Sequence, residues 1–443
     1  MAQNLAPPSR RSFLQGGVAG IALALSPLPA LASDRRAEQV LGQWYALLLE
    51  LIRHTATYSP PVAARSFAYL GITAFEALAS GNPALRSLAG QVAELPPLPA
   101  REPAPHDEAC VLQGALTHAM AAHFGNTGPT GQRAMQAMEK RLSELAMAGM
   151  TEDVATRSMA HGVAVSQAIL DWSASDGGAV IENMGFPYEY ALTEGPGHWV
   201  PTSTIAVQQK PLLPKWGENR TFAIPMTGGC GLPPALDYSE DPASAFYADA
   251  KAVYDTSKSL TDEQKAIARF WSDDPMLSPT PPGHWVSIML QIFDRDGTPV
   301  DRQAEVLAVL GMAISDGFVQ CWRSKFEYDL VRPATYIRRV IDPKWEPLLI
   351  TPPFPEYPSG HSTQSGAAAG VLETLYGPGF AFDDATHEDD GIAPRHFAGF
   401  WEAAEEAAIS RLYGGIHFPS ANKNGLEQGR CIAGHVMGLK TRA

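Results

Sequence analysis

Apolar positions recur at helical spacing through most of the chain. The stretch EQVLGQWYALLLELIRH (38–54) repeats its leucines and aromatics every three to four residues, the period of a helix with one buried stripe. PPVAARSFAYLGITAFEALAS (60–80) opens on two prolines, which a helix accepts in its first turn. Residues 131–149 and 151–172 form a helical pair divided at Gly149. Thr261 and Gln264 stand at capping-box spacing at the head of LTDEQKAIARFWSDD. HWVSIMLQIF (284–293) and the long run 302–331 continue the pattern, and two more helices are expected at 398–412 and 420–437. Between about 175 and 240 the chain is rich in Pro, Gly and Trp and has no period, so ordered loops packed over a bundle are expected. Strand alternation is scarce. The pattern predicts an all-α protein built as helix bundles.

One segment breaks this regularity. PPFPEYPSGHST (352–363) places four prolines within seven residues, then turns to Ser359, Gly360, His361 and a run of small residues ending near Gly377-Pro378. Proline fixes φ and biases its predecessor away from helix, so 352–358 reads as a stiff extended loop that delivers Ser359 and Gly360 to a helix N-terminus. Backbone N–H groups and the helix dipole favour an anion there.

Composition narrows the partners. The 443 residues are 45% apolar and 18% charged with a net charge of −14, enough for a real core and unsuited to nucleic acid or an anionic membrane surface. Any basic anion site is therefore local. At the N-terminus, Arg10-Arg11 precedes Phe13-Leu14 and a short apolar run that ends in Ala30-Leu31-Ala32. This has the form of a twin-arginine export signal over 1–32, which implies a periplasmic or secreted mature chain of residues 33–443. No other run is long and apolar enough to predict a membrane span. Cys110, Cys230, Cys321 and Cys431 lie far apart without C-x-x-C spacing, which argues against zinc. An oxidising compartment permits a disulfide, whose pairing the sequence leaves open.

Cations that could complete the anion cup lie on either side of it. In KFEYDLVRP, Lys325 and Arg332 are seven apart, two helical turns, which predicts one shared helix face ended by Pro333. In SRLYGGIHFPS, Gly414-Gly415 should break a helix and let His417 fold back to the site that Arg411 approaches. Each pair alone reads equally as solvated surface; the order K-x6-R-P, P-S-G-H, S-R-x5-H does not.

That composite, carried by Lys325, Arg332, Pro333, Pro358, Ser359, Gly360, His361, Ser410, Arg411 and His417, resembles the vanadium-dependent haloperoxidases and the related type 2 phosphatidic-acid-phosphatase superfamily. The resemblance implies two helix bundles packed as one α-domain, with the site in the C-terminal bundle, about 260–443. It implies vanadate as cofactor, with phosphate able to occupy the same cage. Lys325, Arg332, Ser359, Gly360 and Arg411 would hold the oxyanion, and His417 would bind vanadium. His361 would serve as general acid–base and Lys325 would polarise the bound oxidant. Trp322 and Phe354 resemble the aromatics beside the cofactor in the chloro- and iodoperoxidase types. The implied partners are hydrogen peroxide, a halide and an organic acceptor, and a homo-oligomer is compatible with the sequence. Iodide is the expected halide, bromide second and chloride least.

The same cage supports two other readings. One is a periplasmic acid phosphatase working through a phosphohistidine at His417; the other is a non-catalytic oxyanion-binding protein. Asp273 and Asp274 read either as partners of Arg411 or His361 or as surface acids, and His284 either lines the site or is structural. Glu356, His387 and His396 are expected at the surface.

Overall fold

The computed structural model describes residues 29–180, 189–203, 209–226 and 229–443. The stretch 1–32, expected from the sequence to be an export signal, lies almost wholly outside them. The described residues are all-α as expected, with one short β-ribbon. The first half holds α1 (Pro29–Arg53), α2 (Pro60–Ala79), α3 (Glu108–His123), α4 (Pro129–Met147) and α5 (Glu152–Ser173). The second half holds α6 (Ala245–Lys258), α7 (Asp262–Phe270), α8 (Thr280–Asp296), α9 (Val300–Tyr328), α10 (Pro333–Val340), α11 (Gly360–Tyr376), α12 (Phe400–Tyr413) and α13 (Pro419–Val436). Strands β1 (Phe382–Asp384) and β2 (Arg395–Phe397) pair antiparallel. The capping box at the head of α7 forms as the sequence predicts.

α9 is the spine. It packs on α2 on one side and on α11 and α13 on the other, and one apolar core continues from Trp44 to Val436. Among the described residues α9 is the one helix long and apolar enough to cross a membrane, and its apolar window is entirely buried in the protein. α11 and α13 meet at backbone contact. A Cβ on Gly429 would lie 2.3 Å from the Thr363 carbonyl oxygen, and one on Gly366 2.6 Å from that of Leu426. Any larger residue would push the helices apart, so these glycines hold the N-terminus of α11 in place.

The long Pro/Gly/Trp stretch is ordered loop where described, and it buttresses the site. Trp199 N–H donates to the Asp329 carbonyl (2.9 Å) and Val331 N–H to that of Gly197 (2.9 Å), which pins the α9–α10 connection. Leu212 N–H bonds the Pro353 carbonyl (2.8 Å), and the Leu212 carbonyl takes the Trp322 indole N–H (3.0 Å). The buried Asp316 carboxylate accepts the N–H groups of Phe222, Ala223 and Ile224 and so fastens the loop to α9. Cys230 and Cys431 form a disulfide that ties the same loop to α13, while Cys110 and Cys321 are free and buried.

Two local expectations are corrected. Lys325 and Arg332 do not share a helix: α9 ends at Tyr328, Asp329 turns left-handed (φ 47°), and Arg332 is the N-cap of α10. Pro333 starts that helix in its first turn and does not end the previous one.

Candidate functional site

Four chain segments converge on the head of α11. The proline loop delivers Ser359 as its N-cap, with Tyr357–Pro358 in the cis form. Ser359 Oγ accepts the Ser362 N–H (3.3 Å), which leaves its own O–H free to donate into the cup. Gly360 and His361 form the first turn, where backbone N–H groups have no intrahelical acceptor. The last turn of α9 brings Lys325, the head of α10 brings Arg332 and the last turn of α12 brings Arg411. Gly415 (φ 74°) then reverses the chain and returns His417, as its spacing predicts.

Lys325, Arg332 and Arg411 are buried, at 0%, 0% and 2% exposure. Lys325 Nζ donates to the carbonyls of Pro355 (2.9 Å), Glu356 (3.0 Å) and Pro358, using all three ammonium hydrogens. Arg332 ties two loops together. Its Nε bonds the Phe354 carbonyl (2.8 Å) and its Nη1 that of Ile416 (2.8 Å), while its buried Nη2 has no partner. Arg411 bonds Ser410 Oγ (3.2 Å) and the Ala268 carbonyl (3.3 Å). Burial drives the pKa of Lys325 down to about 7, and those of Arg332 and Arg411 to about 10. Among the described residues one carboxylate, Glu356, pairs directly with any of the three, at 3.3 Å from Arg332. A cup of this kind gains from a bound anion.

Each histidine faces an arginine. His361 Nε2 is 3.1 Å from Arg411 Nη1, and His417 Nε2 is 3.1 Å from Arg332 Nη1. Burial first, then the adjacent arginine, holds both imidazoles well below the usual histidine range, so both are neutral bases at pH 7. His361 keeps partial exposure at the rim. Trp322 and Phe354 form an aromatic wall with ring centroids 4.9 Å apart, and Lys325 Nζ lies 5.0 Å from the Phe354 ring. Every residue nominated from the sequence for the cage or its wall is therefore brought to one place.

Several residues differ from expectation. Glu356 is fully buried, not at the surface. Its Oε1 accepts from His417 Nδ1 (2.9 Å) and from the Phe418 N–H (2.8 Å). Burial raises its pKa to about 7 against the pull of Arg332 and Lys325. The sequence held a signal for it: in an extended segment, residues two apart share a face, so Glu356 points where Phe354 points. His387 is buried as well, its Nε2 3.3 Å from Asp273 Oδ1, whereas His396 is exposed as expected.

His284 is a structural imidazole with no exposure, bonded to Asp273 (2.9 Å) and to Asp384 (2.7 Å) and stacked on Trp271 at 4.4 Å. Burial alone would lower its pKa, but the two carboxylates raise it to about 10, so it is an imidazolium. Asp273 and Asp274 both place their charge near Arg411, and Asp273 also acts on His361. That supports the reading of them as partners of the site. Asp384 had no signal beyond an acidic loop.

A family model described as the VCPO second helical-bundle domain matches residues 305–344 and 340–443. A solved bacterial vanadium-dependent iodoperoxidase superposes with a TM-score of 0.83 at 32% identity, covering 92% of this chain and 97% of that one. A holo-type bacterial vanadium-dependent chloroperoxidase shares the fold at a TM-score of 0.66 and 16% identity, over 88% of this chain and 95% of that one. Vanadium chloroperoxidase from Curvularia inaequalis is 26% identical over 38% of this chain, a match that spans 37% of that relative's length. Together with the converged K-x6-R-P, P-S-G-H and S-R-x5-H residues, the likeness across nearly the whole length of the iodoperoxidase makes this chain a member of the vanadium-dependent haloperoxidase family.

Proposed function

We propose that the protein is a vanadate-dependent haloperoxidase that uses hydrogen peroxide to oxidise iodide, with bromide second, to the hypohalous acid. The observation that carries this reading is the cup itself. Three buried cations share one contacting carboxylate at a helix N-terminus, and a neutral histidine lies on each side.

The donor set fits a tetrahedral oxyanion. Arg332 Nη2 is buried without a partner, Ser359 O–H is free to donate, and the first N–H groups of α11 lack helical acceptors. Arg332, Arg411, Ser359 and Gly360 would hold vanadate by hydrogen bonds and Lys325 by its charge, and His417 Nε2 would bind the metal. Vanadate, when bound, supplies a Lewis-acidic centre that makes hydrogen peroxide electrophilic towards a halide.

The protein's own part is charge, proton and pocket. One halide, one hydrogen peroxide and one proton give hypohalous acid and water: the O–O bond breaks and the halide loses two electrons. His361, kept neutral, accepts the proton of incoming peroxide and returns it to the departing oxygen. Lys325 and Arg332 direct positive charge at the reacting oxygens across a wall formed by Trp322 and Phe354. Iodide is large, weakly hydrated and easily oxidised, which suits an aromatic wall with cations behind it. The 32% identity to a bacterial iodoperoxidase supports the same choice.

We infer as well that the chain is exported folded by the twin-arginine route, its mature form starting near Ser33. Arg10-Arg11 and the apolar run support this, as does the Cys230–Cys431 disulfide, which belongs in an oxidising compartment. Mass analysis of secreted protein should show the leader removed, and export that survives Arg10→Lys with Arg11→Lys would contradict the route.

The activity is tested by reconstituting purified protein with orthovanadate and following peroxide-dependent triiodide formation. Turnover that requires vanadate and is suppressed by phosphate is expected. Absence of halide oxidation beside rapid phosphomonoester hydrolysis would replace this reading with the phosphatase one.

A further inference from the structure

Among the described residues Glu356 is the one carboxylate in direct contact with a cation of the cup, and it works against holding an anion. Burying a carboxylate is costly unless it is fully paired, and an apolar side chain would leave the cage more cationic. Yet Glu356 is 0% exposed and held rigidly. Its backbone N–H donates to the Leu330 carbonyl (3.0 Å) and its own carbonyl accepts from Lys325 Nζ (3.0 Å). Its carboxylate then makes three contacts. Oε1 takes His417 Nδ1–H (2.9 Å) and Phe418 N–H (2.8 Å), and Oε2 pairs with Arg332 Nη1 (3.3 Å).

The two bonds to Oε1 grip both the His417 ring and the backbone that follows it. A neutral imidazole can carry its proton on either nitrogen, and only the Nδ1–H form leaves Nε2 as a lone-pair donor towards the cup. With Nδ1 facing a carboxylate, that form is selected. The consequence is visible at Nε2, which points at Arg332 Nη1 from 3.1 Å.

We propose that Glu356 is a positioning residue that fixes His417 in the Nδ1–H tautomer with Nε2 aimed into the cage. The proposal rests on the reading of the cup as a vanadate site. Glu356 would then make His417 a better metal ligand.

The test compares wild type, Glu356→Ala and Glu356→Gln by nitrogen-15 histidine NMR without anion, by calorimetric titration with orthovanadate and with inorganic phosphate, and by thermal unfolding. Wild-type His417 should show the Nδ1–H signature, and Glu356→Ala a mixture or the other tautomer. Outer carboxylates on ligating histidines are typically worth about 10- to 100-fold in metal affinity, so Glu356→Ala should weaken orthovanadate by that order. Phosphate needs no histidine–metal bond, so its affinity should stay within about threefold of wild type in the same variant. Glu356→Gln keeps an acceptor for both Oε1 bonds but turns an amide NH₂ to Arg332, so it should retain the tautomer with a smaller loss. Equal weakening of both anions together with a lower melting temperature would overturn the proposal in favour of a purely structural role. An unchanged tautomer and vanadate affinity in Glu356→Ala would overturn it outright. If wild type bound neither anion, the vanadate reading of the cup would fall, and the tautomer comparison would still decide whether Glu356 positions His417.

Discussion

Arg332→Lys separates charge from geometry in the cage. The variant keeps one positive charge at a fully buried position but replaces a planar fork by a single nitrogen. Arg332 now satisfies the carbonyls of Phe354 and Ile416, both at 2.8 Å, and so ties the loop before Ser359 to the turn before His417. Arginine reaches them through two different nitrogens, Nε and Nη1, and a lysine in its place is expected to lose one of the two. The stranded carbonyl should cost about 1–3 kcal/mol of stability. The unpartnered Nη2 has no counterpart on lysine. Losing one charge-assisted hydrogen bond to a bound oxyanion is worth about 1.5–3 kcal/mol. At about 1.4 kcal/mol per decade, orthovanadate should bind roughly 10- to 150-fold more weakly. Calorimetric titration gives the affinity and a thermal melt gives the stability. Binding within about threefold of wild type would show that charge alone, not the fork, holds the anion, and the reasoning would fail.

Three other outcomes follow from the packing and electrostatics. His361 and His417 have folded pKa values well below the ordinary one of about 6.5, so the unfolded chain binds protons first; stability should be full above that pH and lost progressively below it, and phosphate, by offsetting the arginines, should reduce the loss in pH-dependent melts. Gly429→Ala places a Cβ 2.3 Å from a backbone oxygen of α11, so it should cost about 1–3 kcal/mol or more and weaken anion binding through the displaced Ser359–His361 turn; an unchanged melting temperature would contradict the close approach of α11 and α13. Cys431→Ser opens a bridge between residues 201 apart, worth up to about 5 kcal/mol of denatured-state entropy, and should lower the melting temperature while leaving vanadate affinity within about threefold.

How much was legible in the sequence depended on where each signal lay. Amphipathic helices with a polar face, such as α1 and α7, announce themselves by period and by caps. α3 does not: most of its residues from Ala109 to Met120 are buried, so no stripe stands out. α10 was hidden because Arg332-Pro333 reads as a helix end, whereas the proline occupies a helix start. The cage was legible because its residues lie in short, rigid, ordered motifs whose spacing survives the fold. The proline loop supplied that rigidity, and Gly415 the positive-φ turn that returns His417.

What escaped was the supporting layer. Glu356 looked like a loop acid, and its burial depends on His417 and Arg332 arriving from 61 and 24 residues away. His387 and Asp384 lie in an acidic stretch that reads as solvated surface, and only the β-ribbon and α8 turn them inward against Asp273 and His284. No local pattern encodes such a meeting, because each partner is unremarkable until the other is beside it.

In the proposed reaction two histidines work one buried oxyanion site with different duties. Equilibrium dialysis of orthovanadate against wild type, His361→Ala and His417→Ala, paired with iodide-oxidation rates at saturating peroxide, tests it most directly. Wild type should bind about one vanadate per chain. His361→Ala should keep vanadate and lose about 10²- to 10⁴-fold in turnover, the usual worth of a positioned acid–base. His417→Ala should lose vanadate itself. Equal retention of vanadate by both variants, or equal loss, would contradict the account.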